Sequence, residues 1–309
     1  MSRRIALLAS VAVSTTLVTA CMVGPDYRRP EFPVPKTYEY EPKDAADTVN
    51  TDWWRQFDDA VLDQLIVEAL ANNKSVKQAA ANVEQAAALL TETQSQFYPQ
   101  VGYDASGTRQ QYTADVIPNR PGLSRKQTSY SVLASASWEI DLWGRIRRQT
   151  EAAQASLLGT DDARRGVILS LVGQVANNYL ALRALDEQLQ VAKKTLGTYE
   201  ESLKLFQLQF QYGVVSQMTV AQAKSQYETA AAQIPAIEQE IVTTENAICV
   251  LLGRNPGRIA RGKALVDMKL PQTPAGLPSQ LLERRPDVAQ SEQQLIAANA
   301  QIGAAKALY

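Results

Sequence analysis

The sequence contains no histidine, which removes the commonest general base and the commonest metal ligand together. Only two cysteines occur among 309 residues, Cys21 and Cys249, so no disulfide framework shapes the chain. Charge imbalance is missing too: 31 basic side chains meet 32 acidic ones, which excludes the electrostatic footprint of a nucleic-acid partner. There is no nucleophile elbow, no phosphate loop and no metal-ligand cluster, and an enzyme is left without machinery. With 45% hydrophobic residues, 14 prolines and 15 glycines, what remains is a foldable chain.

Its longest feature is a run from Ile168 to Phe210 with apolar residues at alternating steps of four and three. One row reads Val175, Leu182, Leu189, Leu196, Leu203, Phe210; the other reads Leu171, Asn178, Leu185, Ala192, Tyr199, Phe206. A seam kept at seven-residue spacing imposes a left-handed supercoil on packed helices. After a turn at Tyr212-Gly213-Val214-Val215-Ser216, a second seam returns through Tyr227, Ala230, Ile234, Ile237, Ile241, Thr244, Ile248 and Leu251. The pattern predicts an antiparallel helical hairpin whose outgoing arm, begun near Ile146, is on the order of 100 Å long. Pro235 predicts a kink in the return helix, and Cys249 a buried small hydrophobe. Periodicity alone leaves a plain coiled-coil spacer open.

Arg3 and Arg4 precede an apolar run, Ile5 to Val18, that closes on Thr19, Ala20 and Cys21. This is the pattern of a secretory signal peptide, 1–20. Its ending resembles a bacterial lipobox, in which Cys21 is lipidated; the alternative is an ordinary signal peptide with an incidental cysteine. Met22 stands where an Asp would, by resemblance to enterobacterial lipoproteins, favour inner-membrane retention, so the outer membrane is the expected address. Segment 21–60 opens with Pro25, Pro30, Pro33, Pro35 and Pro42 as an extended strap. The Trp53, Trp54 and Phe57 rings then mark either a membrane interface or the packing that docks the strap.

Helices are expected over 61–98, a short one stopping near Asn73 and a second from Val76 to about Phe97, ended by Pro99. The period then changes to two. Over Ser129 to Leu142 one face carries Tyr130, Val132, Ala134, Ala136, Trp138, Ile140 and Leu142, and the other Ser129, Ser131, Leu133, Ser135, Ser137, Glu139 and Asp141. Val101, Tyr103, Ala105 and Gly107 alternate similarly. Fourteen alternating residues exceed the ~9–11 that a tilted strand needs to cross a bilayer. The sequence therefore predicts a transmembrane β-hairpin over 99–142, with lipid on one face and water on the other. Two strands cannot close a barrel, so oligomerisation or further strands must. A soluble sandwich hairpin is the rival for each strand taken singly.

The helical hairpin, 143–253, is followed by a Pro/Gly-rich link, 254–280, and by a helix in 281–309. Shifted by 212 residues this helix overlays the second one: Val288 on Val76, Leu295 on Val83, Ala298 on Ala86, Tyr309 on Phe97. The expectation is a duplicated unit of which the sequence holds an N-terminal piece, truncated in its second repeat and not expected to assemble alone.

Several motifs carry a resemblance: Cys21-Met22-Val23-Gly24-Pro25-Asp26-Tyr27, Trp53-Trp54 with Phe57, Glu139-Ile140-Asp141-Leu142-Trp143-Gly144-Arg145, Leu251 to Pro256, Leu277-Pro278-Ser279, and Leu282-Glu283-Arg284-Arg285-Pro286-Asp287. Together they resemble an outer membrane factor of the TolC-like family, in the lipoprotein branch serving resistance-nodulation-division efflux pumps. The resemblance implies a mainly α fold with a β-hairpin: long antiparallel coiled-coil helices form a periplasmic α-barrel, and the strands join a transmembrane β-barrel completed only in a homotrimer. It implies no cofactor beyond covalent lipid on Cys21, N-acyl and S-diacylglycerol. Implied partners are a periplasmic adaptor, an inner-membrane efflux transporter and outer-membrane lipid, with no nucleic acid. Gly213, Val214, Val215 and Ser216 would form the adaptor-contact tip, although Met218 and Thr219 stand where family members often have an Asp. Ser135, Ser137, Glu139 and Asp141 would face the lumen; for the two carboxylates a solvated rim is the alternative. The function implied is a passive exit duct for drugs or other toxic compounds. The rival is a lipid-anchored coiled-coil stalk or adhesin without a pore.

Overall fold

The computed structural model describes residues 22–31, 33, 52–112, 126–270 and 282–309. Helix α1, Ala60–Asn72, starts where the Asp59 carboxylate accepts the Val61 and Leu62 amides at 2.8 and 3.3 Å, satisfying donors that the first helical turn leaves open. Asn73 repeats the device for α2, Lys74–Ser95: its Oδ1 accepts the Ser75 and Val76 amides, while its Nδ2 donates to the Leu251 carbonyl at 2.8 Å. Strands β1, Gln100–Gln111, and β2, Lys126–Ser137, pair antiparallel with Val101 opposite Ala136 and Gln111 opposite Lys126. Among the described residues three longer helices follow: α3, Arg145–Gln211; α4, Gln217–Leu251; and α5, Pro286–Lys306. Pro286 lies 212 residues beyond Lys74, so α5 begins where the repeat places it.

The chain divides into two compact units. One comprises Glu31–Val83 and Gly159–Ser291. Its core joins Leu62, Leu65 and Ile66 of α1, Leu171, Val175, Tyr179 and Leu182 of α3, and Ile237, Ile241 and Ile248 of α4. Trp54 and Phe57 are buried with them, and Trp53 meets both rings edge-on at 6.3 and 6.2 Å. Of the two roles open to these aromatics, packing is the one they fill. The α3 seam is fully buried at Val175 and Leu182, half-buried from Leu189 to Phe206, and 44% exposed at Phe210. Helix α4 runs through Pro235 without interruption. Cys249 is buried, its thiol donating to the Gly257 carbonyl at 3.3 Å.

Within the Pro/Gly-rich link expected over 254–280, the described part packs onto the helices. Ile259 is a core residue at 3% exposure, and Leu265–Asp267 forms a 3-10 turn. Arg261 spans Asp186 of α3 and Glu245 of α4, and the Glu245 carboxylate also accepts the Ile259 amide. Pro and Gly content signalled a break in the helix but carried no sign of this docking.

The other unit comprises Met1–Pro30, Glu84–Leu158 and Glu292–Tyr309. Here α3 and α5 meet through small side chains, Ala152 and Ala155 against Ala297 and Ala300. The second strand is also corrected. It spans Lys126–Ser137, not Ser129–Leu142, although alternation continues in the letters. Its end is set by hydrogen bonding: the Trp138 indole donates to the Phe97 carbonyl, the Leu142 amide turns back to the Ile140 carbonyl, and Gly144 at φ +80° reverses the chain into α3.

Candidate functional site

The β-hairpin divides its side chains by face. Residues directly opposite on paired strands share a face, which places Val101, Tyr103, Ala105 and Gly107 with Ala136, Ala134, Val132 and Tyr130. The other face holds Gly102, Asp104, Ser106 and Thr108 with Ser135, Leu133, Ser131 and Ser129. Every residue of both strands is exposed, Val132 to 82% and Tyr103 to 90%. A soluble sandwich hairpin would bury its apolar face, and this one buries neither. The Tyr130 ring lies over Gly107, where an added Cβ would sit 3.2 Å away. Lys126, Gln111 and Arg109 bound the apolar band at one end, while exposed Tyr98, Trp138 and Trp143 lie beyond the other.

Of the four lumen candidates, Ser135 and Ser137 are on the strand, in the polar row. Glu139 and Asp141 lie past its end and serve the start of α3. Glu139 takes a two-pronged ion pair from Arg145, its Oε1 accepting at 2.7 Å. Asp141 accepts the Ile146 and Arg147 amides at 3.1 and 3.0 Å and pairs with the Arg147 guanidinium. Carboxylates at a helix N-terminus offset its positive dipole end, which here also carries Arg145, Arg147 and Arg148.

At the α3–α4 turn the four tip candidates are consecutive. Gly213, at φ +76°, donates to the Phe210 carbonyl, and Val214 donates to the Gln209 carbonyl, the paired bonds of a Schellman ending that needs a left-handed residue. Ser216 caps α4 by accepting the Thr219 amide. Val214 is 70% exposed and Val215 half-buried. Tyr212 and Met218 are exposed beside them, so the apolar tip is wider than the four residues taken from sequence. Cys21 lies outside the described residues.

Sequence reasoning did not find the polar cluster behind α1. Asp59, 2% exposed, accepts from the Tyr179 hydroxyl and the Lys263 amide, both at 3.0 Å, besides capping α1. The Tyr179 oxygen in turn accepts the Gly262 amide at 2.9 Å. Burial pushes the Tyr179 hydroxyl up to about 12, and the neighbouring Asp59 charge adds to it. The cluster holds three chain segments together.

Among the described residues no group of ligating side chains forms a metal site, and no helix is long and apolar enough to cross a membrane. That last fact says nothing of β-strands. The sequence model of the outer membrane efflux proteins matches residues 65–254. The chain belongs to the outer membrane efflux protein family. It is 36% identical over 310 residues to the toluene efflux pump outer membrane protein TtgC of Pseudomonas putida, covering 98% of this chain and 64% of TtgC. It is 33% identical over 298 residues to the cation efflux system protein CusC of Escherichia coli, covering 94% of this chain and 64% of CusC. The solved CmeC outer membrane channel of Campylobacter jejuni aligns with a TM-score of 0.78 at 25% identity, over 93% of this chain and 62% of that one. The chain thus spans about 64% of the length of the curated relatives it matches. Its fold, mainly helical with an antiparallel strand pair among the described residues, is similar to that of this solved channel.

Proposed function

We propose that this protein is the outer-membrane component of a tripartite efflux system, a passive trimeric duct through which toxic compounds leave the cell. One observation carries the reading: a hairpin apolar on one face and polar on the other, with neither covered by its own chain. In lipid, open strand edges and unpaired backbone are not tolerated, so such hairpins must be joined edge to edge into a closed barrel. The apolar face then meets acyl chains, and Ser131, Ser135 and Ser137 line water. The long helices continue the conduit into the periplasm, and the tip at Tyr212 to Met218 meets a periplasmic adaptor coupled to an inner-membrane transporter. Lipid on Cys21 anchors the assembly. The protein performs no chemistry on its cargo, whose energy of transport comes from the transporter. A stalk or adhesin explains the helices but gives the amphipathic hairpin nothing to do.

The test is planar-bilayer conductance of the protein purified in detergent from the cell envelope that makes it. Steps of uniform conductance, from material that runs as a trimer, are expected. Membrane-bound protein that never conducts would overturn the duct and leave the stalk.

A further inference from the structure

From Met22 to Arg29 the segment after Cys21 is fitted to α5 and to the start of α3. The Val23 amide donates to the Trp143 carbonyl at 3.1 Å, and Met22 packs over Gly144, the turn that opens α3. Gly24, at φ +109°, lies against Gly303 of α5 so closely that a Cβ there would sit 2.4 Å from the Gly303 Cα. The Pro25 carbonyl accepts from Asn299 at 2.8 Å, the Tyr27 hydroxyl donates to Glu292 at 3.3 Å, and Arg29 pairs with Glu292 at 3.0 Å. The five steps from Gly24 to Arg29 advance about 17 Å if the chain is extended, and the eleven steps of helix from Gly303 back to Glu292 advance about 16 Å. The two rises match, which lets successive strap residues find successive turns of α5.

Arg148 sits at the crossing of strap, α3 and α5. Its side chain is 2% exposed; Nη2 donates to the Asp26 carboxylate at 2.6 Å and to the Gly24 carbonyl at 3.4 Å, and Nη1 to Glu151 at 2.7 Å. The stem occupies the space a side chain at Gly303 would need, 2.9 Å from where its Cβ would lie, and Nε is buried without an acceptor. A guanidinium sunk this far and lacking one bond is an unfavourable choice for simple helix packing. It makes sense as a fork holding the strap.

We propose that Arg148 is a positioning residue: it clasps the N-terminal strap into the slot between Gly24 and Gly303, so that the membrane anchor starts from a fixed point beside Trp143 and sets the level of the hairpin in lipid. The inference rests on the membrane reading above and adds to it a defined geometry in place of a free tether. The slot accepts the strap because both approaching backbones are glycine, and the strap stays because its carboxylate and carbonyl complete the fork.

Arg148→Met and Gly303→Val test it, with Arg148→Lys as the conservative rescue. In detergent, trypsin cleavage after Arg28 is read as the appearance of a chain beginning at Arg29. Loss of the charged hydrogen bonds predicts cleavage faster by roughly tenfold or more in Arg148→Met, an intermediate rate in Arg148→Lys, and unchanged helical circular dichroism. Asp26→Asn, on an exposed side chain that cannot unfold the core, predicts a two- to fivefold increase, roughly what a solvent-exposed partner contributes. In vesicles of outer-membrane lipid, quenching of Trp138 and Trp143 by lipids brominated at known depths should shift for Arg148→Met and return for Arg148→Lys. Cleavage at the parental rate in both Arg148→Met and Asp26→Asn would overturn the clasp, and a freed strap with an unmoved quenching profile would overturn its positioning role. Failure of the parental protein to be quenched at any depth would instead sink the membrane reading, leaving the protease result to stand alone.

Discussion

Val175 and Val132 are the same side chain on regular elements of one chain, yet the first is wholly buried and the second 82% exposed. Around Val175 the chain supplies its own partners from α1, α4 and the 258–268 segment, and each buried aliphatic side chain contributes about 1.5–3 kcal/mol. Around Val132 no described residue outside the hairpin covers it. The helical core is packed by its own chain, and in the duct proposed above the hairpin is one half of an interaction whose other half is lipid and neighbouring strands. The same contrast grades along α3, whose seam is sealed at Leu182 and half open from Leu189 onward.

The comparison breaks if the two regions respond alike to truncation. Leu182→Ala should cost about 2–5 kcal/mol, read as an earlier urea transition of the helical signal, whereas Val132→Ala in detergent-free solution should change it by less than about 0.5 kcal/mol. Equal losses would mean that the hairpin packs on the protein after all. Within the hairpin, neighbours on opposite faces sharpen the point. Val132→Arg should oppose membrane insertion by about 2–4 kcal/mol if it lies near mid-bilayer, while Ser131→Arg should insert normally and make the pore more anion-selective. Flotation with vesicles separates the two variants, and identical behaviour would remove the assignment of faces.

How far the letters revealed this depended on whether a residue's partner is near in sequence. The α3 and α4 seams and the strand alternation follow from periods of 3.5 and 2 and were legible directly. The strand's end was not: alternation runs on through Glu139 and Asp141, but those carboxylates are drawn to Arg145, Arg147 and the α3 amides, a competition that periodicity does not register. The repeat located α5, yet not its packing. Ala297, Ala300 and Ala304 are buried, while the positions 212 residues earlier, Gln85, Ala88 and Glu92, are exposed. Arg148 carries no local signal in the sequence, and only tertiary structure brings Asp26 and Gly303 to it. The Asp59, Tyr179 and Gly262 cluster likewise joins residues 120 and 83 positions apart and leaves no local pattern.

That cluster gives a test of the helical core with a sign. Tyr179→Phe leaves the Gly262 amide without its acceptor and removes one of the two donors to Asp59 Oδ2, which keeps the Lys263 amide, a loss of about 1–3 kcal/mol in the folded state. The raised pKa adds a pH dependence. An unfolded tyrosine ionises near its ordinary value of 10.0 and Tyr179 in place at about 12. The folded state therefore holds the proton more tightly, and this contribution is intact below pH 10 and drains away as pH rises to 12, with a slope of up to about 1.4 kcal/mol per pH unit. Other tyrosines and lysines titrate in that window, so the measurement is the difference between parent and variant. The two stability curves should converge from pH 10 to 12, and parallel curves would refute the assignment.

The smallest effect belongs to the tip, where the two kinds of surface meet in one turn. Gly213 is held at φ +76° with nothing within 4 Å of where a Cβ would lie, so Gly213→Ala carries only the backbone penalty of a left-handed residue, about 1 kcal/mol. Gly213→Asn should cost less, since Asn tolerates that conformation. Val214→Asp, on a 70% exposed side chain, should leave the melting curve within about 0.5 kcal/mol while abolishing co-purification with the periplasmic adaptor. The pairing of variants separates shape from surface: a glycine change that weakens adaptor capture in proportion to stability speaks for a turn that merely has to form. Loss of capture in Val214→Asp with stability intact assigns the contact to the exposed apolar knobs, and retention of capture there would remove the tip from the adaptor interface.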